Sequence, residues 1–218
     1  MALVWSVHRK LKTILPVALT KKIRYIFETR LDSLWSREYY GQFGEDVILQ
    51  AILESRYLGA DKARTADYSR DKSFPTGFYV DVGAFAPKQY SNTFWFYKRG
   101  WRGINIDATP GSMKIFEKVR RRDINIEALV SSRQDEVVFY TWGNPTVFNT
   151  LSEEHAKKWE RLTGKEPNKI ILQTTSLAKI LDTSLPKGQE IDFLSVDAES
   201  HDFEVLHQAI GGYTDHPL

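Results

Sequence analysis

Three apolar runs in this chain end alike. "FYVDVGA", "GINIDATP" and "DFLSVDAES" are rich in aromatic and β-branched residues, and each delivers a carboxylate, Asp81, Asp107 or Asp197, at or near its end. Short runs of this composition read as strands. Segments of helical period stand between them. One runs from Asn92 to Arg99 and stops at Gly100; another is capped by Thr109, with Pro110 at its first position and Met113, Phe116 and Val119 on one face. "INIEALVS" is a third strand. Alternation of this kind dictates an α/β fold, a mainly parallel sheet with helices on both faces. Right-handed crossovers place the strands in the order third, second, first, fourth, with Ile191 to Asp197 as the fourth. The ligand crevice of an open α/β sheet lies beyond the C-terminal ends of its strands, so the three carboxylates converge on one edge.

The remaining segments are an appendage and two excursions. Residues 1–40 hold eight Lys/Arg against three Asp/Glu, whereas net charge over the 218 residues is only +2. A helix in this arm has a cationic and an apolar face, which suits either peripheral contact with an anionic membrane or packing on its own domain. Arg9, Lys10 and Lys12 interrupt the apolar stretch that a secretory signal needs, so a cytoplasmic address is expected. Residues 41–218 form the domain proper, entered by a helix beginning after Gly44. Within it, residues 61–76 are polar and aperiodic and read as a surface loop. Residues 136–175 are an insertion holding an extra strand (Val137 to Tyr140), a helix capped by Ser152 and stopped at Gly164, and the extended piece "IILQT". Ser176 then caps a helix through Leu181. No apolar run approaches the roughly 18 residues of a membrane span. With no Cys in the chain, disulfides and thiolate chemistry are excluded and any metal would need His and carboxylates. "RRRD" at 120–123 reads as the solvated end of a helix rather than a nucleic-acid contact.

Asp107 follows Asp81 by 26 positions, close to the interval at which an acidic residue ending the second strand meets a nucleotide ribose. The alternative is that it caps the helix starting at Pro110. "DVGAFAP" has one glycine where a dinucleotide fingerprint has three, and Phe85 and Pro87 obstruct the close backbone approach that a pyrophosphate requires. An adenosine ligand without phosphates fits better, which disfavours a nicotinamide-dependent oxidoreductase. Near the fourth strand, Asp197, Glu199 and His201 are candidates for a base acting on a hydroxyl. The same three side chains could instead hold a hard cation such as Mg²⁺.

"GFYVDVGAFAPKQYSNTFWFYKRGWRGINIDATPGSM", "RDINIEALVSS" and "IDFLSVDAESHDFEVL", in that order, resemble the FkbM family of S-adenosylmethionine-dependent methyltransferases. "QFGEDVIL" resembles the helix that precedes the core in many members. The likeness covers Gln42 to Ile210. It implies a class I methyltransferase fold, Rossmann-like, with a cofactor site drawn from Asp81, Gly83, Ala84, Asn92, Asp107 and Ala108. Gly83 would stand beside the methionine part and Asp107 on the ribose hydroxyls. It further implies O-methylation of a sugar or other small hydroxylated metabolite, with Asp197, Glu199 and His201 on the acceptor side and no metal. The sequence departs from the family pattern at Ser200, where a glycine usually follows Glu199. It also ends at Leu218, where a fifth strand would begin, so the later strands are expected to be missing and the fourth strand's edge to invite self-association. A methyltransferase-like module kept for binding rather than catalysis is the competing reading.

Overall fold

Every residue of the first strand, β1 (Phe78–Val82), is buried, because both of its faces are covered. The computed structural model describes residues 39–58, 75–132, 135–143, 146–198, 202, 205 and 206. Residues 1–38 of the basic arm, nearly all of the 61–76 loop, Glu199 and His201 lie outside the described residues. The chain divides into two compact units, one of Met1–Tyr39 with Gly44–Pro75 and one of Tyr40–Phe43 with Thr76–Leu218.

In the first unit, α1 (Glu45–Leu58) starts after Gly44 with Glu45 and Asp46 in its first turn, where carboxylates complement the helix dipole. Its polar row of Asp46, Gln50 and Glu54 is buried, whereas Ile48 and Ile52 of its apolar row are exposed. That is the reverse of the amphipathic pattern expected of a helix packed by its apolar face.

In the second unit, β1 lies between β2 (Arg102–Asp107) and β7 (Phe193–Val196), with β3 (Ile124–Glu127) beyond β2. All three pairings are parallel. The order β3-β2-β1-β7 is the one the alternating pattern predicts. Because successive side chains point to opposite faces, the sheet has two different faces. One is apolar: Phe78, Val80, Val82, Ile104 and Ile106 pack with Leu177 and Ile180 of α5 (Leu177–Ser184) and with Val205. Full burial of a side chain of this kind contributes about 1.5–3 kcal/mol.

The other face joins an aromatic end, where Phe193 meets Tyr79, Phe96 and Trp101, to a polar row. Pairing aligns Asn125, Asn105, Asp81 and Ser195 in one row across the four strands. Above the row sits Arg120, at the end of α3 (Met113–Val119), with no exposed side-chain surface. Its Nε donates to Asp123 at 2.8 Å; Nη1 donates to the Pro87 carbonyl at 3.0 Å and Ser91 Oγ at 3.4 Å. Nη2 reaches Tyr79 Oη at 2.6 Å, Thr93 Oγ1 at 2.8 Å and Asn105 Oδ1 at 3.3 Å. The first Arg of "RRRD" is therefore the central cation of the fold, and only Arg121 and Arg122 are in solvent. Reading the motif as a solvated helix end fails for Arg120 and Asp123 because nothing local in sequence signals the acceptors that Tyr79, Thr93 and Asn105 bring.

The fourth strand is shorter than Ile191 to Asp197, running from Phe193 to Val196, and three other boundaries shift with consequences for the site. α2 (Phe94–Lys98) starts two residues later than Asn92, after Thr93, with Ser91 Oγ accepting from Phe94 N at 3.1 Å. α3 starts at Met113 rather than Pro110, so 109–112 are a turn. The third strand is two: at Ala128 the chain leaves β2, and β4 (Leu129–Val130) pairs instead with β6 (Asn168–Thr175). β5 (Glu136–Thr141) joins β6 antiparallel, and α4 (Glu153–Thr163) is capped by Ser152, whose Oγ accepts from His155 N, and ends at Gly164. The 136–175 insertion is thus tied to the main sheet through the strand that changes partners.

Replacing Arg120 with Met should cost about 3–5 kcal/mol, because Asp123 is then left as an uncompensated buried charge. Urea unfolding of Arg120→Met and Asp123→Asn measures this. Stability within 1 kcal/mol of wild type in both would contradict the role given to the pair.

Candidate functional site

The strand tips surround a cavity of about 420 Å³, within the range that holds a small ligand or cofactor. Ordered by the strands that carry them, its walls are Asp197 and Ala198 after β7, Gly83 after β1, Asp107 and Ala108 at the end of β2, and Ala128 to Val130 after β3. Phe85, Tyr90 and Gln42 add further wall, and the insertion supplies Phe139, Asn149, Thr150, Leu151 and Trp159.

Gly83 occupies its position for two physical reasons. Its φ of +78° is one that side chains rarely adopt, and an added Cβ would stand 1.9 Å from the Asp197 carbonyl oxygen. The tips of β1 and β7 touch through this residue. Past it the backbone carries two bulky residues at positive φ, Phe85 at 51° and Tyr90 at 57°, a conformation costing about 1–2 kcal/mol each. Their rings stack, 6.0 Å apart and 20° from coplanar, on the cavity wall. Strain retained at a ligand cavity is a mark of function.

Asp107 closes β2 and is buried. Its Oδ1 accepts from Thr109 N at 2.8 Å and its Oδ2 from Phe85 N at 3.0 Å. Burial raises its pKa above the ordinary 3.8 despite these donors. The carboxylate therefore stitches the β1 loop to the β2 turn, and it does not cap a helix at Pro110, since none begins there. A carboxylate has about four acceptor sites, so Asp107 keeps room for donors from a ligand.

The other sequence-predicted residues divide between wall and support. Ala108 lines the cavity with Gly83 and Asp107. Asp81 lies in the polar row behind it, buried, with Oδ2 accepting from Thr93 Oγ1 at 2.7 Å and Ser195 beside it in the row. Burial raises its pKa, against the pull of Thr93 and Arg120. Asn92 Nδ2 donates to Ser195 Oγ at 3.3 Å, and Ala84 packs against Met113 and Phe116 under α3. Asp197 is on the wall; Glu199 and His201, and with them the metal-binding alternative, lie outside the described residues. The sequence reading missed the wall from the insertion, because which insertion residues face the cavity depends on the pairing of β4 with β6. It also missed Gln42, for which only the preceding-helix likeness gave a signal.

Gly83→Ala should destabilise the protein by at least the backbone cost of about 1–2 kcal/mol, with the contact to Asp197 adding to it. Thermal melts compare the two proteins, and an unchanged midpoint would mean that the Gly83–Asp197 contact is not held in solution.

These features form an ordered set: a strand ending through Asp81 at a single glycine, a second strand ending at a buried carboxylate, and a fourth bringing Asp197 to the same cavity. Comparison with curated proteins finds no match, and comparison with solved structures finds none. The family profile described as Methyltransferase FkbM domain matches residues 81–215, which takes in β1 from Asp81 onward, the cavity loops, the insertion and β7. By that match over more than half its length, the chain belongs to the FkbM methyltransferase family.

Proposed function

We propose that the chain binds S-adenosylmethionine across the strand tips and transfers its methyl group to a hydroxyl of a sugar or another small hydroxylated metabolite. The observation that carries this reading is the cavity itself, which has the Asp107 carboxylate and Asp197 on opposite sides of Gly83. Asp107 suits the ribose: it is buried, anchored by backbone donors, and still able to accept hydroxyl protons. Gly83 suits the methionine part, since no side chain rises there. When bound, the cofactor supplies an activated methyl group for in-line displacement.

The chain's own work is then positional. Orientation of an acceptor oxygen can provide about 7–11 kcal/mol of a barrier, and Phe85, Tyr90, Phe139 and Trp159 give the cavity flat apolar walls suited to excluding water and packing a ring. Asp197 is our candidate to take the hydroxyl proton, with Glu199 and His201 beside it in sequence; such a base is worth about 10²–10⁴-fold.

Calorimetric titration with S-adenosylhomocysteine tests the cofactor half. Asp107→Ala should weaken binding at least about tenfold, the equivalent of one charge-assisted hydrogen bond, and equal affinity would end the ribose assignment. Binding needs the ionised carboxylate, and burial holds the Asp107 pKa above 3.8. Wild-type affinity should therefore fall as pH drops through that raised value, while Asp107→Asn gives a flatter profile. Turnover against a panel of hydroxylated sugars, read as S-adenosylhomocysteine release, tests the acceptor half. Asp197→Asn should lower kcat about 10²-fold or more with cofactor affinity little changed.

A further inference from the structure

One side chain joins the insertion to the turn that holds Asp107. Asn149 lies between β5 and α4, beside the bridge in which Tyr140 and Thr150 exchange hydrogen bonds of 2.9 and 3.0 Å. It is buried on the cavity wall. Its Oδ1 accepts from Trp142 N at 3.0 Å, and its Nδ2 donates to the Gly143 carbonyl at 3.1 Å and to Thr109 Oγ1 at 3.0 Å. Two of these bonds close the loop after β5. The third leaves the insertion and reaches the β2 turn.

That third bond ends at the residue that holds Asp107. Thr109 gives Asp107 its backbone N–H at 2.8 Å. A hydroxyl has one proton and two acceptor sites. With an acceptor site of Oγ1 filled by the Asn149 amide, Thr109 is held through its side chain by Asn149 while its backbone N–H holds the carboxylate.

We propose that Asn149 is a positioning residue of the cofactor site, linking the 136–175 insertion through Thr109 to the carboxylate that receives the ribose. The inference rests on the reading of Asp107 as the ribose ligand. Asn149 acts through Thr109, so the insertion serves the nucleoside end of the cavity, on the β2 and β3 side, and not the acceptor end at Asp197.

The test uses the full chain, S-adenosylhomocysteine as the probe, and four variants: Asn149→Ala, Thr109→Val, their double, and Thr109→Ser. Loss of one bond in the relay should weaken binding about tenfold in each of the first two. Since both break the same relay, the double should be no weaker than the poorer single. Thr109→Ser restores the oxygen and should recover most of the affinity that Thr109→Val loses, which a purely structural role for the threonine methyl would not permit. Unchanged affinity in Asn149→Ala overturns the inference while leaving the cofactor reading intact. So does a double variant whose losses multiply, or a Thr109→Ser as weak as Thr109→Val. Wild-type protein that binds no S-adenosylhomocysteine removes the cofactor reading and this inference together.

Discussion

The guanidinium of Arg120 is a full charge with no side-chain surface in contact with solvent, and the arrangement of the second unit follows from what that charge demands. Burying an ion without partners costs several kcal/mol. Arg has five N–H donors in a fixed planar fork, so its acceptors must come from several directions at once. Here they come from β1 (Tyr79), the loop after it (Pro87, Ser91), the cap of α2 (Thr93), β2 (Asn105) and the turn before β3 (Asp123). Burial raises the pKa of the Tyr79 hydroxyl, keeping it protonated. It therefore accepts from Arg120 and donates to Asp123 at 2.6 Å. Tyr79 reaches that position because Gly103, its partner on β2, has no side chain: a Cβ there would stand 2.1 Å from the ring.

The cavity inherits its shape from this interaction. The loop from Gly83 to Asn92 is held at one end by Arg120, through Pro87 and Ser91, and at the other by Asp107, through Phe85. Fixed at both ends, it retains Phe85 and Tyr90 in a backbone conformation that a free loop would abandon. Asp81 belongs to the same support, since Thr93 links it to Arg120 and strand pairing sets it opposite Ser195 of β7. A residue two positions before the glycine can thus govern the site without touching the cavity.

Much of this was legible in the sequence because it is local. The strands, their order and the carboxylates at their ends follow from short apolar runs and intervening helical periods. Ser152 and Ser176 each cap the helix that the pattern assigns them, by accepting from His155 N and Lys179 N. What escaped was non-local. A run of three arginines looks solvated until the acceptors across the sheet are known. "INIEALVS" looks like one strand because its apolar alternation continues through Ala128, and only the pairing partner changes there. Asn149 looks like a loop residue because its partner Thr109 is 40 positions away. In each case the deciding contact joins elements whose proximity is a result of the fold, not of local sequence.

The polar row across the sheet has a consequence for how the chain finds its register. A one-residue slip of a strand turns every side chain to the opposite face. In β1 that would put Val80 or Val82 beneath the guanidinium and turn Asp81 into the apolar layer. Mispaired sheets are therefore penalised by an ionic mismatch as well as by lost apolar burial. The row is also complete only when Ser195 arrives, from the far end of the described chain. Contacts of such large sequence separation form against loop-closure entropy, so the Arg120 charge, whose acceptors all lie between Tyr79 and Asp123, can be partnered before the row closes at Ser195. A sheet that lacks β7 thus holds a partnered guanidinium but leaves the row open beside Asp81.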